Sequence, residues 1–351
     1  MTDRRTARFI SLVLLFFAWP ALAQLLPPEA GLDFGTDFSL SITPEHPAPG
    51  DTAHITAHST LLDLDAGTIT WYMNGAKYAS GRGLSEADIL VGPLGSEMRI
   101  EVVLTEAGFE RAAAEALIRP TEIDLLWESD SYAPPLFRGR ALPSEGTTLR
   151  LEAMPHFVRA NRSFVPASDI YFTWRRNDYV VKSVSGRGKS RALLESPSLF
   201  GTDTISVEAR TSDGAFSGEA SIRVPSTEPI LTLYENHPIF GIMYHRAFGA
   251  QNLLPEVETS FVAVPYFANA TRAGDSGLIY EWRVNGNRIV NDVSHPNEIT
   301  IDARGSTGIA RIELALSHIT NLFLNSSGSW AVTFTGNAGE TQGNLFESAQ
   351  Q

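Results

Sequence analysis

The chain has 351 residues, 43% hydrophobic and 19% charged, which suits two or three packed domains and excludes a disordered polymer. Its formal net charge of −13 repels phosphate backbones, so no nucleic-acid partner is expected. The absence of cysteine removes disulfides, thiolate nucleophiles and cysteine metal sites together, so each domain must be held by its core alone.

Arg4, Arg5 and Arg8 precede an apolar run from Phe9 to Ala23 that ends in Ala21-Leu22-Ala23. A charged head, apolar middle and small-residue exit mark a secretory signal peptide, so residues 1–23 are expected to direct export and to be removed. The rival reading is an uncleaved anchor helix. Its run falls short of the ~20 residues a bilayer needs, and Pro20 disfavours helix near its end. No later run approaches that length, so the mature chain is expected to lack a membrane span and to act outside the cytoplasm, in the periplasm, at the surface or secreted.

After the leader one module recurs three times, over residues 24–119, 120–225 and 226–351. In the first unit the turn Pro49-Gly50-Asp51 leads into a strand at His54-Ile55-Thr56-Ala57. A second strand at Ile69-Thr70-Trp71-Tyr72-Met73 runs into Asn74-Gly75, a hairpin signal, and a third follows at Met98–Leu104. Glu106–Ile118 has good helix formers, but Gly108 interrupts them and its end reads equally well as the closing strand. The second unit repeats the order. An edge strand at Leu126-Trp127-Glu128 before Pro134-Pro135 is followed by the turn Pro143–Gly146 and strands at Leu149–Ala153, Tyr171–Trp174 (before Asn177) and Thr204–Ala209. The third does so again, with Leu233-Tyr234-Glu235 before Pro238, then Phe261–Val264, Ile279–Trp282 (before Asn285-Gly286) and Ile309–Leu316. It carries an extra stretch, Leu322–Gly328, before a closing strand at Trp330–Phe334. Alternation with period two gives each strand one buried and one wetted face. The expected fold is all-β: three tandem immunoglobulin-like β-sandwich domains, joined by short proline-bearing linkers at Arg119-Pro120 and Pro225–Pro229 that favour a stiff array.

Trp-x-x-Asn-Gly, followed by Gly201–Ala209 running to Ser212-Asp213-Gly214, resembles bacterial immunoglobulin-like and PKD-type modules. The resemblance implies that Trp71, Trp174 and Trp282 are core residues on the third strand of each unit. It lacks the paired cysteines found around the tryptophan in other immunoglobulin domains.

Candidate chemistry is sparse. Gly188-Lys189-Ser190 suggests a phosphate loop, but Ser183 stands where such a loop needs glycine. Ser185-Gly186-Arg187-Gly188 repeats Ser80-Gly81-Arg82-Gly83 at the same place in the module, which predicts a hairpin turn. His54 and His58 lie on one face of a strand, about 13 Å apart, too far to share a metal. Asp63-Leu64-Asp65-Ala66-Gly67 has two carboxylates but lacks the closing acid of a calcium loop, so no metal is assigned and a loop calcium is the alternative reading. No Gly-x-Ser-x-Gly elbow occurs. Among the aromatics beside the tryptophans, parity points only Tyr72 outward, and Pro238–Phe248 reads as a core or interdomain strand. Sequons stand at Asn161, Asn269 and Asn325. No catalytic, cofactor-binding or metal-ligating residue is assigned, and no cofactor is expected. The sequence therefore points to an exported, non-catalytic binding or scaffold protein of the bacterial envelope, with protein or envelope glycan as partner. A pilus or secretion component, or the accessory region of a carbohydrate-active or proteolytic enzyme, are the alternatives.

Overall fold

The computed structural model describes residues 37–254, 258–290, 292–304 and 308–334. The segment read as a signal peptide and the C-terminal extension past 334 lie outside these residues. The fold is all-β, with three tandem immunoglobulin-like sandwiches. Among the described residues, no helix is long and apolar enough to cross a membrane.

The first sandwich contains β1 (Ser39–Thr43), β2 (Thr52–His58), β3 (Thr68–Met73), β4 (Ala76–Arg82), β5 (Glu86–Leu90), β6 (Met98–Glu106) and β7 (Phe109–Ile118). Its sheets run β1-β2-β5 and β4-β3-β6-β7. The second contains β8 (Ile123–Ser129), β9 (Thr148–Pro155), β10 (Ile170–Arg176), β11 (Tyr179–Val180), β12 (Gly186–Arg187), β13 (Arg191–Glu195), β14 (Thr202–Thr211) and β15 (Ser217–Pro225). Here the sheets run β13-β9-β8 and β11-β10-β14-β15, with β12 also pairing β10. The third contains β16 (Ile230–His237), β17 (Gly241–Ala247), β18 (Gln251–Leu254), β19 (Glu258–Tyr266), β20 (Leu278–Val284), β21 (Asn287–Arg288), β22 (Glu298–Asp302), β23 (Gly308–His318) and β24 (Asn325–Phe334). Its sheets run β17-β16-β19-β22 and β18-β24-β23-β20-β21.

Each sandwich closes around its own indole. Trp71, Trp174 and Trp282 are all 0% exposed, and each anchors a separate apolar cluster. Their cross-strand partners are Val102, Val207 and Leu314. Each indole N–H still needs an acceptor once buried. It donates to the Leu84 carbonyl at 2.8 Å, the Lys189 carbonyl at 2.9 Å and the Pro296 carbonyl at 3.0 Å.

The asparagine after each tryptophan has two jobs. Asn74, Asn177 and Asn285 adopt φ of 51°, 49° and 50°, the left-handed region that asparagine tolerates better than most residues. Their side-chain carbonyls then accept from the backbone N–H of Arg99 (2.9 Å), Thr204 (2.9 Å) and Arg311 (2.8 Å). Each hairpin tip is thereby pinned to the neighbouring strand of the sheet. The alternation read for β2 holds: Ala53, Ile55 and Ala57 are buried, whereas His58 is exposed and His54 partly so.

Of the two readings of Glu106–Ile118 the closing strand holds, because Ala107 (φ 53°) and Gly108 (φ 86°) turn β6 back into β7. Three expectations need correction. The repeated Ser-Gly-Arg-Gly is an edge-strand segment rather than a turn, since Gly81 pairs Ile69 and Gly186 pairs Phe172. β8 is an edge strand as read, but β16 is not: the chain past Pro238 folds back as β17 and pairs with it. Tyr72 is also not alone among outward aromatics. Tyr171 is 51% exposed and Tyr179 81%.

Candidate functional site

The richest side-chain chemistry collects where the second and third sandwiches meet. β15 ends at Pro225 and β16 begins at Ile230, so residues 226–229 alone join the strands. The contact is wider than the linker. A strap over residues 130–147, between β8 and β9, reaches across to the third unit. Tyr132 N–H donates to the Ala268 carbonyl (2.8 Å), and Phe267 N–H donates back to the Tyr132 carbonyl (2.7 Å). Asn269 and Asn321 of the third unit donate their side-chain amides to the carbonyls of Gly146 (2.9 Å) and Glu145 (2.8 Å). Gly146 has φ +85°, and a Cβ there would lie 2.8 Å from the Asn321 amide and 2.9 Å from that of Asn269. Only glycine allows this approach.

The strap's ring packs where the third unit would otherwise be open. β19 reads Phe261-Val262-Ala263-Val264 and is buried on both faces, with Phe261 and Ala263 facing the main core. Val262 and Val264 on the opposite face lie under Tyr234 with Tyr132, Tyr244, Tyr266 and Ile242 around them. Phe137 stands edge-on to Tyr266 and Phe267, both at 5.7 Å between centroids. Tyr234 and Tyr266 share a 2.7 Å hydroxyl hydrogen bond, and Tyr132 and Tyr244 pack in the same cluster. Burial pushes the Tyr132 hydroxyl up to about 12, helped by the neighbouring Tyr244 and Tyr266 hydroxyls, and burial raises Tyr234 and Tyr244 as well. Tyr132, Tyr234 and Tyr244 are neutral phenols near neutral pH, fit for hydrogen bonding rather than proton transfer.

Beside this aromatic seam opens a polar cleft of about 820 Å³ between the two units. Its floor is the hydroxyl network in which Thr147 Oγ1 meets Ser196 Oγ (2.6 Å) and donates to the Ser144 carbonyl (2.7 Å). On one wall Arg176 is ion-paired with Asp203, whose other oxygen accepts from the Asn177 amide at 2.7 Å. Asp203 Oδ2 has no hydrogen bond of ordinary geometry and is balanced by the guanidinium beside it.

The opposite joint is tied differently. Arg119 bridges Glu97 (2.7 Å) and the Ala215 carbonyl (3.1 Å) while lying 5.7 Å over the Phe216 ring. Thr121 N–H donates to the Pro47 carbonyl at 3.3 Å, and Ser217 Oγ meets His46 Nδ1 at 3.1 Å. A second groove, also about 820 Å³, lies against β8, β9 and β13. There Leu126 and Leu193 are exposed between the cross-strand pairs Glu128–Arg150 (3.6 Å) and Glu152–Arg191 (2.9 Å), and Arg140 sits 4.4 Å over Trp127.

The residues weighed in the sequence do not converge. His54 meets Asp88 (2.8 Å) and Glu86 (3.8 Å) on the open face of the first unit, and that pairing raises its pKa. Asp63 Oδ1 accepts from Asp65 N–H within its own loop (3.1 Å). Among the described residues no group of three or more His, Asp or Glu side chains is placed to hold a metal. Lys189, from the phosphate-loop look-alike, donates to the Ser183 carbonyl at 2.8 Å. Tyr132, Phe137, Asn269 and Asn321 were not singled out as site residues. The available signal was an aromatic-rich, proline-bearing loop (Tyr132-Ala-Pro-Pro-Leu-Phe137) too apolar for a solvated turn.

One acid holds a loop at this end of the third unit. Asp275 accepts from Thr271 N–H (3.0 Å), Thr271 Oγ1 (2.7 Å) and Gly277 N–H (3.0 Å), and these donors hold its carboxyl down at about 2. A depressed carboxylate stabilises the fold above its unfolded value near 3.8 and loses that contribution as pH falls toward 2. Asp275→Asn should therefore flatten the acid limb of third-unit melting between those values. Identical acid limbs in the two proteins would refute this.

No protein-family model matches the sequence, and no curated protein matches it. Among solved structures the chain is similar to the central fibronectin-III array of RIM-binding protein, at 13% identity, covering 86% of this chain and 98% of that one, with a TM-score of 0.29. It is also similar to fibronectin(III)-like modules of Clostridium thermocellum CbhA, at 14% identity, 54% and 94% coverage and a TM-score of 0.24. A third is SGBP-B of the Bacteroides ovatus mixed-linkage glucan utilization locus, in complex with a mixed-linkage heptasaccharide, at 14% identity, 85% and 70% coverage and a TM-score of 0.23. At such scores the fold assignment rests on the sheet orders and cores given above.

Proposed function

We propose that the chain is an exported, non-catalytic binding or scaffold protein of the bacterial cell envelope or surface, presenting its tandem sandwiches to protein or glycan partners. The observation that carries this reading is the built joint. Backbone and side-chain hydrogen bonds on both sides of the middle unit fix neighbouring sandwiches to one another, as an array needs if it is to hold a surface at a set distance and angle. The charged and apolar leader supports export, and the repeated Trp-x-x-Asn module supports kinship with bacterial immunoglobulin-like and PKD-type modules. The test is a truncation series expressed with the native leader. Deleting residues 120–225 should abolish co-fractionation with envelope partners. If removal of each unit in turn leaves every interaction intact, the scaffold reading fails.

A further inference from the structure

We infer that the cleft between the second and third sandwiches is a binding site for a neutral oligosaccharide. This rests on the binding reading above and names the glycan class for one site.

The extra Leu322–Gly328 stretch of the third unit supplies one wall. Asn321 bridges the joint: its amide is held by the Glu145 carbonyl across the cleft, while its side-chain oxygen accepts from Phe323 N–H at 3.1 Å. That double bond fixes the turn on which Phe323 sits, 63% exposed and lining the cleft. A solvated loop has no structural need of an exposed phenyl ring held this way. A pyranose presents an apolar C–H face to such a ring.

The remaining lining suits hydroxyl ligands. Glu195, Thr148, Ser198, Thr320 and Arg176 face the same space. Arg176 is oriented by Asp203, and planar carboxylates and guanidinium groups are matched to vicinal hydroxyls by their two-pronged geometry. An extended peptide fits less well. The backbones of β9 and β13 along this wall pair with each other, Thr148 with Glu195, which leaves only the short outer edge of β13 open to an added strand. Nor is there an apolar pocket beyond the rim residues Leu322 and Phe323. The charge balance selects a neutral sugar, since one guanidinium, Arg176, faces three carboxylates: Asp203, Glu145 and Glu195. The volume, about 820 Å³, lies within the ~300–1,000 Å³ usual for ligand pockets, and clefts between domains are favoured places for them.

The test uses isothermal titration calorimetry on the full chain with cellohexaose, mannohexaose, hexa-N-acetylchitohexaose and hexagalacturonate. At least one neutral hexaose should bind, with hexagalacturonate at least about tenfold weaker. Phe323→Ala and Glu195→Gln, both at exposed positions that leave the core intact, should each weaken binding by about fivefold or more. Tyr179→Ala, exposed on the middle unit outside the cleft, should leave it unchanged. Failure of all three neutral hexaoses at millimolar concentration overturns the inference, as does tighter binding of hexagalacturonate. If a neutral hexaose binds but both cleft variants bind like the parent, the cleft is excluded while glycan binding by the array stands. The truncation series decides the scaffold reading separately.

Discussion

Trp174→Ala is expected to unfold the second sandwich and to weaken the third with it, whereas Trp71→Ala should weaken the first alone. The indole of Trp174 is wholly buried and its N–H is satisfied by the Lys189 carbonyl. Truncation therefore leaves a large cavity and an orphaned acceptor, and aromatic-to-alanine changes of this kind cost about 3–5 kcal/mol. A cysteine-free domain has no covalent staple to absorb such a loss. The asymmetry comes from the strap. Tyr132 belongs to the second unit but packs against the third unit's apolar clusters, so losing the second fold withdraws a side chain from its neighbour. The first unit is joined mainly through polar contacts, those of Arg119 with the Ala215 carbonyl, Thr121 N–H with Pro47 and Ser217 with His46, and should respond more independently. Differential scanning calorimetry of the full chain would resolve the transitions. A third-unit transition unmoved by Trp174→Ala would show that the strap carries no energy.

Much of the fold is readable along the chain because sandwich strands bury every second residue. Ile55, Val102 and Val207 could be placed inward from parity alone. The tryptophan period was readable because one indole fills one core, and the Asn-Gly and Asn-Asp pairs because positive φ restricts which residues can stand there. Errors arose where pairing partners are chosen by contacts distant in sequence. β16 has the composition of an edge strand, and only the fold-back after Pro238 makes it internal. Where the sequence left helix and closing strand open over Phe109–Ile118, β6 decides for the strand by offering a ladder of hydrogen bonds that an isolated helix cannot match.

The candidate site was less legible for the same reason. Asn269 and Asn321 contact a turn more than a hundred residues earlier, and nothing local distinguishes an asparagine that ties two domains from one that faces water. The Phe261–Val264 run did carry a signal. Four successive apolar residues in a strand of an otherwise alternating protein mean burial on both faces, and hence that something must cover the outer one. The cover is the strap.

That cover makes Tyr132 the residue whose loss should most change the shape of the array. Tyr132→Ala removes a half-buried ring from between the two units, at a cost of about 2 kcal/mol given its partial exposure. Interdomain contacts held by so few groups are sensitive to losses of this size. The variant should keep three folded sandwiches but gain freedom at the second joint, seen as a larger radius of gyration in small-angle scattering. Titration offers an independent readout. Because burial holds the Tyr132 phenol above its ordinary value near 10, at about 12, its packing stabilises the joint below pH 10 and loses that contribution as pH rises toward 12. The parent should therefore loosen at the second joint across that alkaline window, before either sandwich melts. Tyr132→Phe, which packs the same ring without an ionisable group, should loosen less steeply. A Tyr132→Ala variant whose scattering profile superimposes on the parent's would show that the joint is held without this ring, by the strap's backbone bonds, Phe137, Asn269 and Asn321.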